Sequence, residues 1–219
     1  MPAAYINIHS HHEIVSPHLG IQNFHAHELL KQNHFPSSYS IGLHPWFIKH
    51  EDHNVILSQM RNIINNPDIK AIGECGLDRA ISVDIELQKE IMIAQLEMAD
   101  QHGKALIVHN VRAFSDMLAI LKKYRPSIPL LFHAYSGNKD IMQRLMQFNV
   151  YFSFGHALFN EESKASRVLT DIPLNRLFFE TDDWDGDIEE IYSIASQRIG
   201  RSIIELRNQI YYTYKSLFL

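Results

Sequence analysis

Short apolar runs alternate with longer amphipathic segments along the whole chain. The eight runs that have the length of a β-strand start at Tyr5, Gly20, Tyr39, Lys70, Ala105, Leu130, Val150 and Leu177. Helical patterns lie between them, and the longest covers residues 84–102, where Leu87, Ile91 and Met98 recur at helical spacing. Strands that alternate with helices indicate a parallel sheet, and eight of them favour a closed (β/α)8 TIM barrel.

The chain length is compatible with one domain of this kind. We expect a single domain over residues 1–219, because no linker, low-complexity segment or internal repeat interrupts the alternation. The length of 219 residues is near the low end for a TIM barrel, so we expect a compact version with short rim loops. An open doubly wound sheet is the alternative, although the chain has no Gly-x-Gly-x-x-Gly nucleotide-binding loop.

Composition excludes several classes of protein. The net charge of −5 provides no basic stripe of the kind that supplies most non-specific affinity for nucleic acid. The single cysteine, Cys75, rules out an internal disulfide and fits a reducing compartment. No secretory signal is visible at the N-terminus, and no run approaches the ~20 apolar residues of a membrane helix. We therefore expect a cytoplasmic protein without membrane association.

Histidine is abundant and unevenly distributed. The chain has 14 histidines, and ten of them precede residue 54. Several of these ten occur in polar, loop-like sequence, and we interpret them as surface residues without an assigned role: His18, His34, His50 and His53.

Imidazole and carboxylate groups occur at the ends of the predicted strands. The residues at these ends are His9, His11, His44, Glu74, His109, His133 and Asp182. In a parallel barrel the reacting residues gather at the carboxyl ends of the strands. A single histidine at such a position is usually a hydrogen-bonded structural residue, but seven such groups at one barrel mouth favour a metal site.

The types of ligand indicate which metals fit. Imidazole and carboxylate without thiolate suit Zn²⁺, Mn²⁺ or Mg²⁺. Without His44 the set contains four histidines and two carboxylates, which are more ligands than one tetrahedral ion needs. Two ions about 3.5–4 Å apart that share Glu74 would use all of them, and this is the usual arrangement for phosphodiester hydrolysis. Because Glu74 lies between Gly73 and Gly76, we expect the strand to stop at Gly73-Glu74-Cys75-Gly76 and the acid to occupy the tip of a sharp turn.

Six motifs follow one another in a definite order. They are Ile8-His9-Ser10-His11, Gly42-Leu43-His44-Pro45, Ile72-Gly73-Glu74-Cys75-Gly76-Leu77-Asp78, His109-Asn110-Val111-Arg112, His133-Ala134-Tyr135-Ser136-Gly137 and Glu180-Thr181-Asp182. With this set and order, spread over nearly the whole chain, the sequence resembles the TatD-type metal-dependent hydrolases, which are TIM-barrel deoxyribonucleases of the amidohydrolase-like group.

The resemblance implies a division of labour among these residues. His9 and His11 would hold one divalent ion with Asp182 and the bridging Glu74. The second ion would be held by Glu74 with His109 and His133. Glu74 and Asp182 would be the catalytic residues, and Asp182 would orient or deprotonate the attacking water.

Two further residues would contact substrate. His44 would contact a substrate phosphate or support a ligand, and Arg112 could pair bidentately with a phosphate. A surface or structural role for Arg112 is an equal alternative.

The chain departs from the family pattern at a few positions. Asn7 replaces the usual Asp, on the same face as His9. If that Asp orients His9 in the family, its absence here would weaken the support of His9 as a ligand. Tyr135 replaces Phe, and Arg79 replaces an aromatic residue and adds a positive charge near the mouth. The segment between His12 and His44 is shorter than usual.

The function implied is that of a deoxyribonuclease or exonuclease that cleaves phosphodiester bonds of single-stranded or 3′-terminal DNA by a two-metal mechanism. One alternative is a two-metal hydrolase of a small ester, lactone, amide or phosphate. Another is a catalytically silent metal-binding barrel that binds a partner, although no obligate protein partner is evident. Related enzymes that bridge their ions with a carboxylated Lys are a poorer match, because Lys70 and Lys104 begin their runs rather than end them.

Overall fold

The predicted (β/α)8 TIM-barrel fold is confirmed by a computed structural model, which describes residues 3–31, 35–48 and 52–219. Eight strands form one sheet in the order of the chain. They are β1 Ile6–Ser10, β2 Leu19–His25, β3 Tyr39–Gly42, β4 Ile69–Asp78, β5 Ala105–Val111, β6 Leu130–Phe132, β7 Val150–Phe154 and β8 Leu177–Phe179. The pairings of β1 with β2, β3 with β4, β4 with β5 and β7 with β8 are all parallel.

From β3 onward the strands are connected by helices, as the alternation predicts, whereas β2 and β3 are joined through a 3-10 helix, Ala26–Lys31, and the described residues 11–18 between β1 and β2 contain no helix. In the part of the chain that the structure describes the α-helices are α1 His53–Ile63, α2 Ile85–Gln101, α3 Phe114–Tyr124, α4 Lys139–Leu145, α5 Lys164–Val168, α6 Ile188–Ile199 and α7 Ile203–Phe218. The side chain of Asp84 caps α2 by accepting the amide protons of Glu86 and Leu87. The predicted capping box at the start of α7 is present, with Ser202 and Glu205 each accepting from the other's backbone.

The chain is grouped into two compact units. The terminal unit is Met1–Gln22 with Phe132–Leu219, and the central unit is Asn23–Leu131. The terminal unit has an aromatic core in which Phe179 packs on Tyr192, with ring centroids 4.7 Å apart. The central unit has an aliphatic core that includes Ile41, Ile72 and Leu106. The expectation of a single domain over residues 1–219 stays a prediction.

The interpretation of the early histidines as surface residues is partly wrong. His53 begins α1 and is buried, because the helix places its first turn against the rest of the central unit. His18 is only partly exposed. His34 and His50 lie outside the described residues.

No helix among the described residues is both long enough and apolar enough to cross a membrane. The expected cytoplasmic location stays a prediction.

The prediction that β4 stops at Gly73-Glu74-Cys75-Gly76, with the acid at the tip of a turn, is wrong. β4 continues through Glu74 to Asp78 and pairs with β5, with Cys75 opposite Val108 and Gly76 opposite His109, after an irregularity between Ile72 and Cys75. The two glycines do not end β4; they allow a bulge within it.

Close approach to β5 explains why these two positions are glycine. Gly73 and Gly76 have φ values of +132° and +154°. A Cβ on Gly73 would lie 2.5 Å from the carbonyl oxygen of Ile107, and one on Gly76 would lie 1.9 Å from that of His109. Glu74 is therefore held inside a continuous strand rather than on a turn.

Replacement of Gly76 by Ala should destabilise the protein much more than replacement of Gly103. Gly103 also has a positive φ, of +62°, but a Cβ there would have no heavy atom within 4 Å. Gly103→Ala should therefore cost only the ~1–2 kcal/mol of the left-handed backbone. Gly76→Ala should cost more, because β4 and β5 must separate to admit the methyl group. Urea unfolding of both variants measures the difference, and equal losses would contradict this role for Gly76.

Candidate metal centre

The end of β1 and the segment after β8 place three ligand-type side chains together in the terminal unit. Ser10 and Asp182 form a parallel bridge, in which the Asp182 N–H donates to the carbonyl of His9 and the His11 N–H donates to the carbonyl of Asp182. The Nε2 atoms of His9 and His11 each lie 3.4 Å from Oδ1 of Asp182. His9 is completely buried and His11 partly so. The spacing of two residues along the strand thus directs both rings at one carboxylate.

Asp182 is held as an anion in an unusual backbone conformation. Its φ is +57°, which is uncommon for a residue other than glycine. Burial raises the pKa of its carboxyl, but hydrogen bonds with His11 and His9 and the charge of nearby His133 outweigh burial, so the net shift of the pKa is downward. A partly buried carboxylate that stays ionised is suited to a cation.

Asn7 fixes the residue next to Asp182. Its Nδ2 donates to Oγ1 of Thr181 at 2.8 Å, and its Oδ1 accepts the Thr181 N–H at 3.0 Å. Oγ1 of Thr181 donates in turn to Oγ of Ser10 at 3.2 Å. Asn7 therefore positions the segment that carries Asp182, and sequence reasoning had connected it with His9 instead.

His133 follows β6 and lies against a second buried acid. Its Nδ1 is 3.5 Å from Oε1 of Glu180, and its ring centroid is 4.6 Å from that of His9. Glu180 is fully buried, and its Oε1 accepts the Ala134 N–H at 2.6 Å. Its Oε2 has no hydrogen-bond partner among the described residues.

Glu180 is thus a buried carboxylate with spare capacity for a positive charge. Leaving such an oxygen without a partner is costly unless a cation or a proton balances it. Ligand atoms of His133, Glu180 and Asp182 all lie within 4.8 Å of one another. Sequence reasoning assigned no role to Glu180, although its position two residues before Asp182 at the end of β8 was a usable signal.

The central unit contains a second group around Glu74. Nδ1 of His109 lies 2.8 Å and Nε2 of His44 lies 3.2 Å from the same carboxylate oxygen, Oε1 of Glu74. The three side chains are buried or nearly so, and their ligand atoms lie within 4.8 Å of one another. The backbone N–H of Glu74 donates to Oδ1 of Asn23 at 2.7 Å, which fixes the backbone that carries the acid. His44 is therefore in direct contact with Glu74.

Asp78 holds the other side of His109. Its Oδ2 lies 3.3 Å from Nε2 of His109 and accepts Nε1–H of Trp46 at 2.8 Å. Burial raises the pKa of Asp78, but hydrogen bonds from Trp46, the Ala80 N–H and His109 lower it overall. Gln88 of α2 anchors the Asp78 backbone through both its N–H and its C=O.

A carboxylate on the second nitrogen of a histidine is the usual support of a metal-binding imidazole. Asp78 closes a motif that was recognised in the sequence, yet no role was predicted for it. The reason is that its function depends on the pairing of β4 with β5, which brings it next to His109.

The two arginines near these groups differ. Arg112 is exposed, with a positive φ of 53°, in the turn that follows β5. Its predicted role in phosphate binding stays a prediction. Arg79 was expected to add a positive charge near the mouth, but this charge is paired, because its Nε donates to Asp116 at 2.8 Å. Lys89 lies 2.8 Å from the other carboxylate oxygen of Asp116.

A cavity of about 520 Å³ lies in the terminal unit, between the segments that follow β1 and β8. Its lining includes Asn7, Ser10 and Thr181, the three residues of the hydrogen-bonded network described above, and also Trp184 and Asp187. This side of the terminal unit therefore has room for part of a ligand next to the segment that carries Asp182.

Comparison with known proteins places the chain among metal-dependent hydrolases. The model of the family described as TatD related DNase matches residues 10–208. An uncharacterized metal-dependent hydrolase of Bacillus subtilis, YabD, is 30% identical over 129 residues, which are 58% of this chain and 51% of that protein. The 3'-5' ssDNA/RNA exonuclease TatD of Edwardsiella piscicida is 28% identical over 145 residues, 64% of this chain and 55% of that protein. The chain thus spans about half the length of these two relatives.

Among solved structures, the TatD homologue YJJV of Escherichia coli has a TM-score of 0.83 at 22% identity. The match covers 100% of this chain and 99% of that one. This similarity concerns the fold.

The Arg79–Asp116–Lys89 cluster should make stability depend on pH below pH 4. The hydrogen bond from Arg79, with Lys89, lowers the pKa of Asp116 from 3.8 to about 2. A lowered pKa stabilises the fold above the unfolded value, and this contribution is lost as the pH falls through about 2. Asp116→Asn should therefore lower the free energy of unfolding by about 0.5–1 kcal/mol at pH 6, since the arginine is partly exposed.

Urea unfolding between pH 6 and pH 3 measures the difference in free energy of unfolding between Asp116→Asn and the unaltered protein, and this difference should shrink below pH 4. Glu97→Gln, at an exposed acid of α2, is the matched control and should show a small difference that does not vary with pH. A constant difference between Asp116→Asn and the unaltered protein over this range would contradict the prediction.

Proposed function

Because the chain belongs to the TatD-related DNase family, we propose that it is a divalent-metal-dependent nuclease that hydrolyses phosphodiester bonds of single-stranded or 3′-terminal DNA. The observation that carries the proposal is the presence, in a chain of this family, of two groups in which histidine rings converge on one carboxylate. In the terminal unit His9 and His11 converge on Asp182. In the central unit His44 and His109 converge on Glu74.

The chemistry of these donors fits hard or borderline divalent ions. All of the donors are imidazole nitrogens or carboxylate oxygens, which suit Zn²⁺, Mn²⁺ and Mg²⁺. The only thiol of the chain, Cys75, is completely buried, and burial followed by the charge of Glu74 raises its pKa, so it is not available as a thiolate. The free oxygen of Glu180 also favours a cation nearby.

In this proposal two ions are held by six residues in total. Those for the first are His9, His11, Asp182 and Glu74, and those for the second are His109, His133 and Glu74. The family resemblance supports this assignment, and the contacts within each unit are compatible with it. His44 acts as a positioning residue, since its Nε2 contacts Glu74.

The ions, when bound, polarise the phosphoryl oxygens and supply a nucleophile at neutral pH. Asp182 would orient the attacking water by accepting a hydrogen bond from it, since its carboxylate stays ionised between the rings of His9 and His11. Asn7 keeps that carboxylate in place through Thr181. Arg112, exposed beyond β5, contributes its guanidinium to a substrate phosphate.

Removing the charge of either proposed catalytic acid should abolish hydrolysis and leave the fold intact. We expect about two divalent ions per chain in the reconstituted protein, as two-metal phosphodiesterases have. Glu74→Gln should lose ions from both positions, whereas Asp182→Asn should affect the first. The loss of activity should exceed the ~10–100-fold typical of residues that only support ligands.

Elemental analysis, circular dichroism and nuclease assays on the same preparations measure these effects. Asp183→Asn makes the same change of charge at the exposed neighbour of Asp182 and should keep its activity. Near-normal rates in Glu74→Gln or Asp182→Asn would remove that residue from the site, and a reconstituted protein without ions would contradict the two-metal scheme.

A comparison of substrates tests the proposed activity itself. With the same metal loading, single-stranded DNA and double-stranded DNA with a 3′ overhang should be hydrolysed faster than aryl esters, lactones and amides. RNA of the same sequence measures the preference for the sugar. Faster turnover of the small esters or lactones would overturn the proposal in favour of a small-molecule hydrolase.

A further inference from the structure

Trp46 exposes a large aromatic ring next to the Glu74 group of the central unit. It lies in a short 3-10 turn, Pro45–Phe47, directly after His44, and 60% of its surface is exposed. A single exposed apolar residue needs no special explanation. Trp46 differs from an ordinary surface residue in how firmly it is held and in what it touches.

Three contacts fix the orientation of this ring. Its Nε1–H donates to Oδ2 of Asp78 at 2.8 Å, and its backbone N–H donates to Nδ1 of His44 at 3.1 Å. The indole also packs edge-on against the His44 ring, with centroids 5.2 Å apart and an interplanar angle of 88°. An exposed side chain that is already ordered loses little entropy when a ligand binds.

The neighbours of the ring belong to the proposed metal centre. His44 and His109, whose ring centroid is 6.3 Å from that of Trp46, both contact Oε1 of Glu74. A phosphodiester held near Glu74 would thus place an adjoining nucleotide within reach of the indole. Aromatic side chains beside a path for single-stranded nucleic acid stack on bases with little regard for sequence.

We propose that Trp46 is a stacking platform for one nucleobase of the substrate, next to the phosphodiester that is cleaved. This inference rests on the proposed nuclease function. A base inside a duplex already has neighbours on both faces, whereas an unpaired base has a face free for the indole. The platform would therefore favour single strands and unpaired 3′ ends over intact duplex.

The indole is also connected to the site by its hydrogen bond to Asp78, which contacts His109. The experiment therefore has to separate stacking on a base from the effect of this hydrogen bond. Trp46→Ala removes both the ring and the N–H donor. Trp46→Phe keeps an aromatic face but removes the donor. Tyr212→Ala removes an equally exposed aromatic residue, 69% exposed on α7, and is the matched control.

Each variant is assayed on a single-stranded oligothymidylate and on the same oligonucleotide with abasic residues at its 3′ end. Oligouridylate, assayed in parallel, shows whether Trp46 stacks on a base of RNA as well as on a base of DNA. Elemental analysis of every variant checks that the ion content is unchanged, since a lost ion would indicate an effect through His109.

We expect Trp46→Ala to raise KM for the oligothymidylate by ~5–100-fold, the range that stacking of one base supplies, with kcat unchanged. On the abasic oligonucleotide Trp46→Ala should behave as Trp46→Phe does, since both variants lose the donor to Asp78, whereas on the oligothymidylate Trp46→Phe should retain most of the affinity. Tyr212→Ala should behave as the unaltered protein.

Two results would overturn the inference. One is no effect of Trp46→Ala on the oligothymidylate. The other is an equal loss in Trp46→Ala and Trp46→Phe on both oligonucleotides, which would mean that only the bond to Asp78 matters. Failure of the unaltered protein to cleave any oligonucleotide would instead contradict the proposed function, and the inference with it.

Discussion

Carboxylates buried at the ends of strands have to be balanced by donors or by cations, and most of the local structure around the candidate site follows from this requirement. Glu74, Asp78 and Glu180 are all buried. An uncompensated anion in such a place costs several kcal/mol. Imidazole rings and N–H groups supply part of the compensation, as His44 and His109 do for Glu74 and the Ala134 N–H does for Glu180. These donors leave part of the negative charge uncompensated, and we propose that divalent ions compensate the rest.

The same requirement orders the imidazole rings. In the central unit His109 lies between two carboxylates, Glu74 at Nδ1 and Asp78 at Nε2. In the terminal unit Nδ1 of His133 lies 3.5 Å from Oε1 of Glu180, so this ring also lies against a buried carboxylate. Each supporting carboxylate is itself held by backbone N–H donors, from Ala80 for Asp78 and from Ala134 for Glu180. The rings are thus oriented before any ion binds, which lowers the cost of assembling the site.

The alternation of apolar runs and helices was sufficient to predict the barrel, because the strand is a local pattern that occurs eight times and helical patterns follow most of its copies. The residues at the strand ends could also be predicted, since in parallel strands their positions follow from the same pattern. The course of β4 could not, because the bulge at Gly73 and Gly76 depends on how closely β5 approaches. The contacts of Asp78 and Asn7 were missed for a similar reason: each joins residues distant in sequence, His109 and Thr181.

The charge of the chain explains why a stacking residue would matter for such an enzyme. With a net charge of −5, the protein as a whole does not attract a polyanion, and the long-range term that supplies most non-specific binding of nucleic acid is missing. Of the arginines near the proposed site, Arg79 is already paired with Asp116. Affinity for DNA would then have to come from contacts made at the site: the ions, Arg112 and the exposed face of Trp46. Of these contacts, stacking on Trp46 is the one that requires an unpaired base, which is consistent with single strands and 3′ ends as the proposed substrate.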